Sequence, residues 1–278
     1  MMEPIESAQR TLYLDGCKYI RVLLDGPALR VRQQHVSDRL YPLRRLVQVI
    51  VNGQVEWSTN ALLACAEAQV PVFFLTAHGS LRARVLGVKK TDPLLNPDMA
   101  IQAFLEQHEA TVRYRQWFSG KSQQARLRLI RAIGRCLSPA DVNAMRKYLE
   151  QRARLYARSG DIRRFDRQIY GLLLTNCDKK LRQVGLDTDL AALTLNNICI
   201  ARDFVNILIW LLQNEKLRYL KQLRKLAFRN GQALARLDWF RAVQFYELNR
   251  KAVEKSFDEE FRRFHIFLVE SIRHYGHQ

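Results

Sequence analysis

Residues 39–75, RLYPLRRLVQVIVNGQVEWSTNALLACAEAQVPVFFL, read as strand, tight turn, capped helix and strand, and they set the fold class of the first third of the chain. Val47, Val49 and Val51 alternate with Gln48, Ile50 and Asn52, which predicts a strand with one strongly apolar face and one mixed face. The dipeptide Asn52-Gly53 closes it as a turn. Ser58 or Thr59 then caps a helix through Ala61, Leu62, Leu63, Ala64 and Cys65, dense enough in apolar residues to be buried. Residues 70–75 are a short apolar run suited to a buried strand. A sheet with a helix packed on it accounts for the whole segment without catalysis.

Outward from this segment, residues 11–14, 19–24, 28–32 and 81–86 alternate or run apolar between Gly16, Gly26, Gly53 and Gly79. Residues 1–90 are therefore expected to form a β-rich, sandwich-like domain. Residues 91–97, TDPLLNP, contain two prolines, which suit neither a helix interior nor a central strand, and read as a linker. Beyond it the pattern is helical. Asp98 opens a helix to about residue 118, Ser119-Gly120 breaks it, residues 121–136 continue, and Ser138-Pro139 restarts the chain as N-cap and first-turn proline. Gly160, Gly185 and Gly231 mark later breaks. The expected class is α+β, with a larger all-α domain over residues 98–278.

At 278 residues and 48% hydrophobic content, the chain can build cores for two modest domains. Its 45 Lys and Arg against 27 Asp and Glu give a net charge of +18. Such an excess points to a polyanionic partner. Nucleic acid fits better than membrane, because no apolar run approaches the roughly 18 to 20 residues that span a bilayer. The N-terminus, with Glu3, Pro4 and Glu6, lacks the basic and apolar regions of a signal peptide, so a cytoplasmic protein is expected. Cys17, Cys65, Cys136, Cys177 and Cys199 form an odd set without a CxxC pair, which argues against a disulfide framework and a zinc site.

The charge is concentrated. Over residues 111–165 fourteen Lys and Arg stand against Asp141, Glu150 and Asp161. Arg128, Arg131 and Arg135 follow three- and four-residue spacing and share a helix face, with Leu127, Ile130 and Ile133 available to a core. Arg218, Lys221, Lys225 and Arg229 form a second ridge, with Leu217, Leu220, Leu223 and Phe228 available for packing. Each ridge reads as a solvated basic face or as a set of phosphate contacts, which would position DNA without reading its sequence. Glu150 reads as a metal ligand or as a surface acid paired with neighbouring arginines, and Asp203 as a helix cap or an ion-pair partner. His265 and His274 lie nine residues apart on one predicted helix and do not share a metal site; Asp258, Glu259 and Glu260 are consecutive and diverge.

The basic run before a strand, the Gly turn, the Ser-Thr helix start and the V-P-V strand of residues 39–75 resemble the N-terminal domain of the CRISPR-associated integrase family, which joins DNA in spacer acquisition, an antiviral defence. Leu149-Glu150-Gln151-Arg152-Ala153-Arg154-Leu155-Tyr156 resembles the family pattern I-E-G-x-A-x-x-Y, with Gln151 in place of Gly. Gly185-Leu186-Asp187-Thr188 resembles its G-L-D-P turn.

The resemblance implies a site of one Glu, one His and one Asp for Mg²⁺ or Mn²⁺, falling on Glu150, Thr194 and Asp203; no histidine stands between His108 and His265. Thr194, Asn196 or Asn197 would offer only a neutral oxygen there. What it implies further is CRISPR adaptation with binding of prespacer DNA, double-stranded or branched. The activity implied is that of a metal-dependent DNA endonuclease and integrase, with catalysis weakened or lost without the His; the alternative is a non-catalytic DNA-binding scaffold. The partners implied are a second copy, paired through the N-terminal domain, and a small ferredoxin-like CRISPR-associated protein.

Overall fold

The computed structural model describes residues 10–16, 19–87, 97–134, 137–189 and 191–275. Two compact units divide the chain, Met1–Lys90 and Thr91–Gln278. Residues 91–96 of the expected linker, Cys17, Cys136 and Arg135 lie outside the described residues.

In the first unit, strands β1 (Arg10–Asp15), β2 (Ile20–Asp25), β3 (Ala28–Gln33), β4 (Val36–Pro42), β5 (Leu46–Asn52), β6 (Glu56–Trp57), β7 (Val72–Leu75) and β8 (Leu81–Val85) form two four-stranded sheets. One has the order β1-β5-β7-β8, the other β4-β3-β2-β6. Strands β1, β5 and β7 run parallel and β8 closes that sheet antiparallel. Leu12, Leu14, Val49, Val51 and Val72 of the first sheet share a core with Ile20, Val22, Leu29 and Val31 of the second. Ala61 and Cys65 of helix α1 (Thr59–Glu67) join it. Ser58 is the residue that caps α1, its hydroxyl accepting from the Ala61 N–H. Burial pushes the Cys65 thiol up to about 11, so it packs as a protonated side chain.

The mixed face of β5 is as buried as its apolar face: Gln48 and Asn52 are 2% and 3% exposed and Ile50 is fully covered. A strand flanked on both sides in a parallel sheet is commonly covered on both faces. Gln48 Nε2 finds Thr11 Oγ1 at 3.4 Å across the β1–β5 pair. Strands β4 and β6 carry no legible alternation; β4 is exposed or half-buried throughout.

The second unit consists, among the described residues, of α2 (Pro97–Leu105), α3 (Ala110–Ile133), α4 (Val142–Arg154), α5 (Ser159–Gln183), α6 (Ala191–Leu195), α7 (Ile200–Arg229) and α8 (Trp239–Tyr275). Helix α7 is central, packing on α3, α4, α5 and α8. Phe204 on α7 is fully buried, its ring 5.4 Å from Phe118 of α3 and 5.0 and 5.9 Å from Phe257 and Phe264 of α8.

Two helix boundaries differ from expectation. Ser119-Gly120 does not break α3, which runs through it. A mid-helix glycine costs only about 1 kcal/mol relative to alanine. Burial of Tyr114, Phe118, Ala125 and Leu129 on the same helix outweighs that. The break falls instead before Ala110, where Glu109 adopts φ 58, and α3 ends at Gly134 in the left-handed conformation, φ 63. Similarly, the cap of α4 is Asp141 rather than Ser138: its Oδ1 accepts from the Ala144 N–H at 2.8 Å, while the Ser138 hydroxyl accepts from Ala140 in the preceding turn. Gly160 lies inside the first turn of α5. Among the described residues no helix is long and apolar enough to cross a membrane.

Candidate nucleic-acid interface and the cleft at Glu150

A single apolar stripe on α7 carries an unexpected charge. Leu212, Tyr219, Leu220 and Leu223 are buried on it, and Lys216, one turn from Leu212, is buried among them at 5% exposure. Its ammonium donates to Asp166 Oδ1 of α5 at 2.8 Å. Arg126 of α3, 9% exposed, is a second buried cation. Its Nε donates to the Pro139 carbonyl at 2.5 Å and its Nη1 to Ser122 Oγ at 2.8 Å, and its guanidinium lies over the Trp210 ring at 5.8 Å. Among the described residues no carboxylate pairs with it. Burial, and then the charge of Arg146, lower the Arg126 pKa from its ordinary value.

Lys216, Asp166, Arg126, Ser122 and Trp210 line one cleft of about 660 Å³ where α3, α4, α5 and α7 meet. Glu150, Arg146, Arg163, Arg167, Tyr170 and Asn206 complete its polar wall. Burial raises the Tyr170 hydroxyl to about 12, so at neutral pH it is a hydrogen-bond donor.

Glu150 thus faces the cleft, but its carboxylate is taken by Arg154 of the next turn, Nη2 to Oε1 2.5 Å. Asp203 is not a wall residue; its Oδ2 accepts from the Tyr114 hydroxyl of α3 at 2.8 Å. Asn206, three residues further along α7, lines the cleft in its place. Thr194 lies on short α6, exposed and away from the wall; Asn196 accepts from Thr111 Oγ1 at 3.0 Å. The carboxylates needed by a hard divalent ion are therefore dispersed or claimed: Glu150 by Arg154, Asp166 by Lys216, Asp203 by Tyr114. No group of three or more His, Cys, Asp and Glu among the described residues can hold a metal ion. The residues present do not fit Mg²⁺ or Mn²⁺.

The two basic ridges are exposed where described. Arg128 lies 4.0 Å from Glu260 of α8 and Arg218 3.0 Å from Glu215, whereas Arg131, Lys221 and Lys225 have no acidic partner among the described residues. Leu127 and Ile130 are only half-buried; Ala125 and Leu129 supply the core face of α3. Phe228, expected to pack, is 76% exposed. The sequence places Arg126 only among the basic residues of 111–165 and marks out neither Asp166 nor Lys216, although a lysine on the Leu212–Leu223 stripe is a readable signal.

Asp203 offers a direct check on its role. Burial raises its carboxyl above the ordinary value, against the lowering pull of the Tyr114 hydrogen bond, Arg202 and Arg115. Between the ordinary and the raised value the native state holds a proton that the unfolded state has released, so stability falls as pH rises through that window and the penalty persists above it. Asp203→Asn, still able to accept from Tyr114, is expected to raise the melting temperature at neutral pH, with the gain vanishing below the ordinary carboxylate range. If Asp203 held a metal, Mn²⁺ would instead raise the wild-type melting temperature and not the variant's.

A β unit of two sheets followed by a helical unit with a cation-lined cleft defines an α+β protein. The chain belongs to the CRISPR associated protein Cas1 family, whose sequence model matches residues 18–166, more than half of its length. The fold is similar to that of a CAS1 protein from Thermotoga maritima, TM-score 0.69 at 12% identity over 94% of this chain and 97% of that one. It is also similar to a casposase bound to integration product, TM-score 0.61 at 16% identity over 86% and 82%. A chain of a Cas6-RT-Cas1–Cas2 complex gives 0.57 at 14% identity, covering 89% of this chain and 33% of that one. No curated protein matches the sequence.

Proposed function

We propose that this protein acts in CRISPR adaptation by binding prespacer DNA through its helical unit and does not itself perform metal-dependent strand transfer. The observation that carries the reading is the cleft at Glu150, where lysine and arginine claim the carboxylates that a metal would require. The exposed ridges on α3 and α7 support backbone contact with double-stranded or branched DNA. Residues 1–90 pair two copies, residues 91–97 link them to the DNA-binding domain 98–278, and a small ferredoxin-like protein bridges the dimers in the cytoplasm. The fold shared with a chain of a Cas1–Cas2 complex supports that assembly.

The test measures binding and strand transfer of short duplex and branched DNA by the purified protein, in EDTA, Mg²⁺ and Mn²⁺. Binding that needs no metal, and so persists in EDTA, without joined or cleaved product in Mg²⁺ or Mn²⁺, is the expected result. Metal-dependent product that disappears in Glu150→Ala would make the protein an active integrase and overturn the reading.

A further inference from the structure

We infer that the cleft between α3, α4, α5 and α7 is a metal-independent phosphate site, in which Arg126, Arg146, Arg163 and Arg167 hold the oxyanion on the wall that also carries Glu150. The inference rests on the proposed DNA binding and names what its cleft grips.

The charge inventory of the wall is the first observation. Five cations, Arg126, Arg146, Arg163, Arg167 and Lys216, face two acids, Glu150 and Asp166. Both acids are already engaged, Asp166 by Lys216 at 2.8 Å and Glu150 by Arg154 at 2.5 Å. Four arginines therefore meet at one cavity with no carboxylate of their own among the described residues. A divalent cation entering it would be repelled, and an anion attracted.

Arg126 is the second observation. A buried cation without a counter-ion is unfavourable unless other groups or a ligand compensate it. Its Nε and Nη1 are spent on Pro139 and Ser122, and Trp210 lies beneath the guanidinium, so its orientation is set in advance. Nη2 has no protein partner among the described residues. Arg146 is near enough to depress its pKa, and this mutual repulsion between two arginines is what a bound oxyanion would relieve. Planar guanidinium forks match phosphate oxygens in paired hydrogen bonds, and the protonated Tyr170 hydroxyl adds a neutral donor on the same wall. A volume of about 660 Å³ accommodates a phosphate with its adjoining sugar.

The experiment keeps EDTA present throughout and uses inorganic pyrophosphate as probe, alongside a short duplex carrying either a 5′-phosphate or a 5′-hydroxyl. Arg146 and Arg163 are exposed, so Arg146→Gln/Arg163→Gln is chosen as the variant, with its melting temperature without ligand as the folding control. Pyrophosphate is expected to raise the wild-type melting temperature and to compete with duplex. The double variant should lose that shift and bind duplex at least ten-fold more weakly. Lys221→Gln/Lys225→Gln should weaken duplex binding yet keep the pyrophosphate shift. With those results, tighter binding of the 5′-phosphate duplex assigns the site to a terminal phosphate and equal binding assigns it to the backbone. No pyrophosphate shift, or a shift unchanged in the double variant, overturns the inference. If duplex still binds in that case, the proposed function survives without it; if duplex fails to bind the wild type at all, both fall.

Discussion

Phe204→Ala is expected to destabilise the helical unit by about 3 to 5 kcal/mol, the usual cost of deleting a fully buried phenylalanine. The ring is 0% exposed and sits at the junction of three helices, within 5.0 to 6.1 Å of Phe118, Phe257, Phe261 and Phe264. Removing it leaves a cavity that rings on α3 and α8 cannot both close, because each is itself packed against further aromatics: Phe118 against Tyr114 and Trp117, Phe264 against Trp117 and Phe267. In a unit of this size such a loss lowers the melting temperature by on the order of 10 °C. Phe228→Ala on the same helix removes the same side chain from a site 76% exposed and is expected to change stability by no more than about 0.5 kcal/mol. Urea unfolding followed by the helical circular-dichroism signal compares the two. Equal effects would mean that the aromatic junction does not hold the helices together.

That junction also shows what a sequence reveals and what it hides. Strands such as β5 are legible because period-two alternation and a turn dipeptide are local properties, each carried by adjacent residues. Strand β4 is not, because its sequence, VSDRLYP, lies at a sheet edge with no face fully buried, so no alternation is imposed on it. Helix α3 looked divisible at Ser119-Gly120 because the local preference is to break, and the aromatic packing that overrides it comes from α7 and α8. The cleft obeys the same logic. Glu150 was found through the pattern around it, but its environment is assembled from four helices. Asp203 and Asn206 lie three residues apart on α7, and only the packing of α7 decides which faces the cleft. Two basic residues, Arg126 and Lys216, were lost in a strongly basic background, where burial rather than residue type distinguishes them.

Duplex affinity is expected to fall by about 10³ to 10⁵ between 50 and 200 mM salt if six to ten phosphates are contacted, since each neutralised phosphate releases counterions and contributes about 0.9 to the slope of log K against log salt. Among the described residues the exposed ridges on α3 and α7 supply Arg128, Arg131, Arg218, Lys221, Lys225 and Arg229, enough for the lower end of that range, but not all are equally free to act. Arg218 is held at 3.0 Å by Glu215, and Arg128 stands 4.0 Å from Glu260, whose carboxylate also receives Arg263 at 2.5 Å. Binding phosphate through these two must first loosen an existing attraction, so part of what is gained is offset. Arg131, Lys221 and Lys225 face no such competition among the described residues. Replacing any of these three with Gln should therefore reduce the slope by about 0.9, whereas Arg128→Gln and Arg218→Gln should reduce it by less. The measurement is a series of binding isotherms at four or five salt concentrations for each variant. A slope insensitive to Arg131, Lys221 and Lys225 alike would place the DNA elsewhere on the helical unit. A loss confined to Lys221 and Lys225 would assign the duplex to α7 and leave the α3 ridge as a solvated face, because charge alone makes both ridges attractive but a duplex of fixed curvature need not touch both.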